Sequence, residues 1–332
     1  MIHIPTTMRP GVFTDLRVHA AAACGMYRGI AAVARTVSGE PGEATLVRDP
    51  AQAAVFGTDS ALYEMIKALL EAGASQIYAI PAGEDYTAAF AAAERLPVYL
   101  LVCDGGADVL AAHISACCEN GRERIGLLAV SDPAAAAAAA GTLNHPHIAV
   151  ICDGGDDTHV TAAAFAAAVA RFGASGSLNG LPVRSAGGSG GTLTAAQAEM
   201  LLAAGAIPFE VCGGEAVCVR AVTSCTKDAD GEPDATFRDL STVLAVDEVL
   251  DTVRRAVKDR LRGCKNNAAT RESIASQITV ELEAMRARGI LDSYRPPVVA
   301  AHPQDSAVCV ATLGIRVAPE ISQIVLRAEI TV

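Results

Sequence analysis

Between residues 44 and 172, short apolar runs alternate with helical stretches, and this alternation restricts the possible folds more than any other feature of the chain. Ala44 to Val47, Gln76 to Ile80, Val98 to Cys103, Arg124 to Val130 and Ile148 to Cys152 read as strands. Ser60 opens a helix with Leu62, Met65, Ile66, Leu69 and Leu70 on one face. Further helices cover Tyr86 to Arg95, Asp108 to Asn120, an Ala-rich stretch begun by Asp132-Pro133, and Thr158 to Phe172. Strands that alternate with helices pair in parallel through right-handed crossovers, with helices on both faces of one sheet.

The flanking segments have a different texture. In the first 20 residues Pro5 and Pro10-Gly11 break helices and Val12-Phe13-Thr14 is β-prone, so this stretch reads as an extended arm. A Gly/Ser-rich loop spans Gly173 to Gly191, and Thr194 with Gln197 forms a capping-box pattern at the head of a helix to Leu202. Pro208 to Cys212 and Ala216 to Val222 read as hairpin-like strands, and Thr226 to Pro233 as an exposed loop. From Arg238 onward two long helices are expected, Leu244 to Arg262 and Thr270 to Arg288, then a β-rich tail of Val308 to Val317 and Ile321 to Val332. The expected divisions are an arm over 1–20, an α/β body over 21–235, a C-terminal α+β domain over 236–318 and a linking strand over 319–332. Strands at the two ends of a chain are edges open to a partner.

Charge and composition exclude several function classes. The net charge of -11 disfavours nucleic-acid binding, which needs a basic surface to displace counterions. No stretch has the length and apolarity of a membrane-crossing helix, and the N-terminus lacks the pattern of a secretion signal, so cytoplasmic assembly is expected. The ten cysteines include no CxxC and no zinc-like spacing. Cys103, Cys152, Cys212, Cys218 and Cys309 fall in expected buried strands and read as small core hydrophobes in a reducing compartment.

A few groups could carry chemistry. Asp104-Gly105-Gly106 and Asp153-Gly154-Gly155 each follow a strand, where doubly wound sheets hold ligands. They read either as a phosphate or metal site or as ordinary strand-to-helix turns; no phosphate-loop fingerprint is present. Gly187 to Gly191 lacks the preceding apolar strand of a phosphate loop. His145, His147 and His159 are the only close histidine group, and no GxSxG elbow occurs. One basic run stands out in this acidic chain: Arg254, Arg255, Lys258, Arg260, Arg262 and Lys265, with Asp259 as its one acid. It reads as a solvated helix face with favourable C-terminal charges, or as a ridge that docks on an acidic partner.

Taken in order, several segments resemble the tail sheath proteins of contractile phages and phage-tail-like bacteriocins. Arg9-Pro10-Gly11-Val12-Phe13 is similar to the Pro-Gly-Val-aromatic opening of such sheaths, and Ala53 to Gly57 with Ser60-Ala61-Leu62 to their early Phe-Gly segment and helix. Leu178 to Pro182, Leu193-Thr194, Leu201 to Gly205 and Val219 to Thr223 follow the sheath order, with Gln197 and Glu199 near its acidic position. Phe237-Arg238-Asp239-Leu240, the two long helices and the β-rich tail resemble the sheath C-terminal domain.

The resemblance implies an α/β fold: a subtilisin-like, doubly wound but non-catalytic body, an α+β C-terminal domain, and extended β arms at both ends. It implies a structural subunit, not an enzyme, that needs no cofactor or metal. Subunits would form hexameric rings stacked helically around an inner tail tube and contract to drive the tube through a target envelope. The implied partners are further copies of the chain, the tube protein, and baseplate and tail terminator proteins, with no nucleic acid and no membrane insertion. The particle, phage or bacteriocin, would assemble in the bacterial cytoplasm and be released on lysis. Val12 and Phe13, and Ile324, Leu326, Ala328 and Ile330, would link subunits by strand addition. Arg254, Arg255, Lys258, Arg262 and Lys265 would face the tube. The alternative is a doubly wound enzyme with its site at the Asp-Gly-Gly turns.

Overall fold

The computed structural model describes residues 29–36, 38–183, 192–261, 264–305 and 307–320, with side chains 259–261 excepted. The arms over 1–20 and 321–332, the loop at Gly187 to Gly191 and Arg262 lie outside the described residues.

Nine strands form the main sheet, in the order β2-β3-β1-β4-β5-β6-β8-β9-β7. These are β1 Gly29–Arg35, β2 Thr45–Val47, β3 Ile77–Ala82, β4 Val98–Cys103, β5 Ile125–Ala129, β6 Ile148–Cys152, β7 Pro182–Val183, β8 Ala206–Cys212 and β9 Glu215–Cys218. The six inner strands, β3-β1-β4-β5-β6-β8, pair in parallel. The expectation of a parallel sheet therefore holds for the centre. At the rims β2, β9 and β7 pair antiparallel.

The strands alternate between two cores. Ile30, Ala32, Leu100 and Val102 point to one face, where they meet α2 (Ala61–Glu71) and α6 (Thr158–Phe172). Ala31, Val33, Leu101 and Cys103 point to the other face, against α3 (Thr87–Ala93), α4 (Ala107–Glu119), α5 (Pro133–Leu143) and α7 (Ala195–Ala204). The short α1 (Pro50–Ala53) precedes α2 and is capped by the Asp49 side chain. The alanine-rich composition has a packing consequence: eight residues of α6 from Val160 to Ala167 are buried, and five of them are alanine. Small side chains let a helix seat close to the sheet while still excluding water. Ser60, Asp132 and Thr194 cap α2, α5 and α7, and Thr194 with Gln197 completes the expected capping box.

Three strands escaped the sequence reading: β1, β10 and the two-residue β7, which falls inside the stretch read as a loop. β1, buried over six of its seven residues, is an interior strand of the sheet, between β3 and β4. β10, Leu291–Ala301, contains Pro296-Pro297, and its pairing register shifts between Arg295 and Val298. A ribbon edge tolerates proline because its missing N–H faces away from a partner. Two cysteine expectations also fail: Cys212 is exposed at the β8–β9 turn, and Cys309 is only half-buried. Cys103, Cys152 and Cys218 are buried as expected.

The C-terminal part is built from α8 (Leu240–Leu261), α9 (Ala268–Ala287) and the antiparallel ribbon of β10 with β11 (Cys309–Val317). The first turns of α8 belong to the body: Leu240, Val243 and Leu244 are buried in its core. Ala245, Val249 and Val253 instead pack on Ile274, Ile278, Leu282 and Met285 of α9. One helix thus serves both cores. Asp247 pins it, being 2% exposed and accepting hydrogen bonds from Tyr99 Oη of β4 (2.7 Å) and His147 Nε2 before β6 (3.0 Å). Glu248, also buried, pairs with Arg288 at the end of α9.

Candidate assembly surfaces

The strand order places β1 between β3 and β4, so the chain winds outward from β1 in both directions. A sheet of this kind holds ligands in the crevice beyond the carboxyl ends of the strands at that reversal. Here the crevice is filled from within. Tyr86, 3% exposed and at φ 59°, donates its phenol proton to Asp104 Oδ1 at 2.7 Å. Asp104 Oδ2 accepts the Arg35 backbone N–H at 3.2 Å, and the Arg35 guanidinium lies 5.7 Å from the Tyr86 ring centre. Burial, then the bond to Asp104, pushes the Tyr86 phenol well above its ordinary range.

The glycines of this turn are explained by the ring. A Cβ on Gly105 would lie 2.7 Å from Tyr86 Oη, and one on Gly106 would lie 2.6 Å from Tyr86 Cγ. Gly106 also has φ +72°, which side chains rarely adopt. The second turn serves a helix. Asp153, 1% exposed, accepts from Gly155 N (2.9 Å), Thr161 Oγ1 (2.6 Å) and Thr158 Oγ1 at the head of α6. Both carboxylates are therefore engaged within the chain, as the strand-to-helix reading requires.

The three histidines do not converge on one point, although His145 and His147 sit edge to face with ring centres 5.9 Å apart. His147 pairs with Asp247, His145 Nε2 lies 3.3 Å from Ser115 Oγ, and His159 pairs with Glu64 of α2 at 2.7 Å. Among the described residues no group of three metal-ligating side chains is assembled. Burial pulls the His147 imidazolium down, but hydrogen bonds to Asp247 and Cys118 outweigh this and push it up to about 10.

The basic run divides by position. Arg254 crosses to the body, where Nη1 meets Glu123 Oε2 at 2.6 Å and Gly121 O at 3.2 Å. Arg255 pairs with Asp251 one turn back at 2.7 Å. Lys258 and Lys265 are exposed.

The ribbon presents the clearest incomplete surface. Among the described residues neither outer edge of the two-stranded sheet has a strand partner. Val298 and Val310 are 62% and 42% exposed on it. Beyond β11 the chain returns to the body, where Glu320 Oε1 accepts the Leu178 backbone N–H at 3.1 Å. Asp247 had a visible sequence signal, a charge three residues from Leu244 on an apolar helix stripe. Tyr86, Arg35 and Glu320 had none, because their partners lie 69 or more residues away or depend on a left-handed backbone.

Comparison with known proteins agrees with these features. Residues 232–331 match the family described as phage tail sheath C-terminal domain. No curated protein sequence matches the chain. Among solved structures, the sheath tail protein of Desulfitobacterium hafniense is 14% identical, with TM-score 0.67 over 92% of this chain and all of that one. A chain in the six-fold symmetrised baseplate of the anti-feeding prophage is 14% identical, with TM-score 0.72 over 98% and 100%. A chain of the PVC extracellular contractile injection system, in its contracted sheath complex, is 15% identical with TM-score 0.71, covering 98% of both. The chain thus shares the fold of contractile-system sheath proteins over nearly its whole length, and its C-terminal third matches their family in sequence.

Proposed function

We propose that this chain is a sheath subunit of a contractile tail or injection system, a structural protein whose working unit is a polymer. The observation that carries this reading is the bare two-stranded ribbon on a domain matching the sheath C-terminal family. A two-stranded sheet is marginal alone, and two open edges accept further strands. The engaged carboxylates of Asp104 and Asp153 weigh against the enzyme alternative.

In the polymer, strands near Val12-Phe13 of one neighbour and Ile324 to Ile330 of another extend the β10–β11 ribbon. Backbone hydrogen bonds hold the joint, at about 0.5–1.5 kcal/mol net each. Ile324, Leu326, Ala328 and Ile330 set the register by presenting one apolar face. Such joints persist while rigid bodies turn, so contraction is a switch between two packings of the same lattice and consumes no nucleotide. Hexameric rings stack around an inner tube; the six-fold symmetry of the anti-feeding prophage baseplate is consistent with that number. Lys258 and Lys265, with Arg255 and Arg262, face the tube, whereas Arg254 is engaged by Glu123 within the subunit; baseplate and terminator proteins close the ends. Assembly takes place in the bacterial cytoplasm and release follows lysis.

Deleting residues 321–332 tests the reading. The truncated chain is expected to fold with an unchanged thermal transition and to form no sheath by negative-stain microscopy. Sheath-like tubes from the truncated chain would refute strand exchange.

A further inference from the structure

A polar cavity of about 350 Å³ opens beside the end of α7. Asn179, Glu199, Leu202, Val219, Arg220 and Arg238 line it. The two guanidiniums differ. Arg220 is neutralised, with Nη2 2.9 Å and Nε 3.2 Å from Asp239 Oδ1, and Glu320 lies near it as well. Arg238 donates from Nη2 to the Leu202 carbonyl at 3.0 Å. Its Nε is buried without a hydrogen-bond partner, and no carboxylate pairs with it among the described residues. Glu199 stands exposed on the rim. A half-buried cation with an orphaned N–H carries a desolvation cost that a carboxylate would offset.

The same chain carries a fitting anion. Residues 227–233 form an exposed turn tied across its neck by the Lys227–Pro233 bridge and by Asp228 N to Glu232 O at 2.9 Å. Asp228 Oδ1 accepts the backbone N–H groups of Asp230 and Glu232 at 2.9 and 3.0 Å, which stiffens the tip. The carboxylates of Asp230 and Glu232 have no cationic partner among the described residues and project from a preformed knob.

We propose that the Arg238 cavity receives the Asp230/Glu232 knob of a second copy of this chain. The contact rests on the sheath reading and adds a side-chain joint to it, separate from the strand-exchange arms. It is heterologous, since knob and cavity are different surfaces, and heterologous contacts propagate into rings and helices. A pre-ordered knob loses little entropy on docking, and the one unpaired guanidinium, Arg238, sets its orientation against the repulsion of Glu199 on the rim.

The test is a charge swap read by sedimentation of polymer. Asp230→Arg with Glu232→Arg alters only exposed side chains and should raise the concentration needed for assembly roughly tenfold or more. Adding Arg238→Glu to the same chain should restore assembly. Wild-type assembly by the knob variant would overturn the proposal, as would a combined variant that folds normally and stays defective. Should the combined variant fail to fold, a copy carrying Asn179→Cys is mixed with a copy carrying Glu232→Cys. A disulfide-linked dimer above the level of either variant alone supports the contact, and its absence in assembled polymer overturns it. A wild-type chain that never polymerises would sink the sheath reading itself, whereas a polymerising wild type with indifferent variants sinks only the knob and cavity.

Discussion

Replacing Asp247 by asparagine probes the joint between the C-terminal helix and the body. In the native chain this carboxylate accepts Tyr99 Oη at 2.7 Å and His147 Nε2 at 3.0 Å, at 2% exposure. Hydrogen bonds to a charged group are worth about 1.5–3 kcal/mol each, so two of them total roughly 3–6 kcal/mol. An asparagine keeps one acceptor oxygen and leaves His147 without its counter-ion, which places the expected loss at about 3 kcal/mol. The loss should depend on pH. The folded-state pKa of His147 is raised to about 10 from an ordinary value near 6.5. A raised basic group stabilises fully below its unfolded pKa and loses that contribution as pH rises through the folded one. The gap between wild type and Asp247→Asn should therefore be widest below about pH 6.5 and shrink steadily towards pH 10. Urea unfolding at pH 6, 8 and 9.5 measures it. A gap under about 1 kcal/mol at pH 6, or one that stays level with pH, would refute an ionic joint at this position.

Four further variants test the remaining structural claims. Gly106→Ala forces a Cβ against Tyr86 in a left-handed backbone and should cost about 2–4 kcal/mol in urea unfolding; a neutral result would mean the ring does not fill the crevice. Asp153→Asn should cost about 1–3 kcal/mol through weakened hydrogen bonds to Thr158, Thr161 and Gly155, and wild-type melting should show no shift with nucleotides or divalent ions; a ligand-dependent shift abolished by the substitution would revive a ligand site. Lys258→Glu with Lys265→Glu should weaken tube-templated assembly and change its salt dependence, without altering the melt; wild-type assembly at every salt concentration would reject the tube-facing role. Arg254→Glu should instead loosen the α8 contact with Glu123 and lower stability modestly, because that charge is held inside the subunit.

The local order of the body was legible in the chain. The strands at Val98, Ile148 and their neighbours, and the caps at Ser60, Asp132 and Thr194, follow from periodicity and from residue types that satisfy free backbone N–H groups. β1 was missed although Gly29-Ile30-Ala31-Ala32-Val33-Ala34-Arg35 is apolar, because alanine, which makes up nearly half of it, is the residue that fills this chain's helices. β10 was missed because Pro296-Pro297 interrupts the alternation that marks a strand. The sequence also suggested turn chemistry for the two Asp-Gly-Gly segments, but could not say what each glycine accommodates.

What the linear chain settles is which residues become helix or strand and which face they bury, since those preferences act over a few neighbouring positions. Tertiary structure alone decides that β1 inserts between β3 and β4, that Tyr86 closes the crevice at their ends, and that Asp247 meets partners 148 and 100 residues away. It also decides that the ribbon keeps two open edges among the described residues while Glu320 returns to Leu178. Side-chain periodicity records a residue's own environment and carries no label for the distant group that completes it, so these pairings emerge only when the whole sheet is in place.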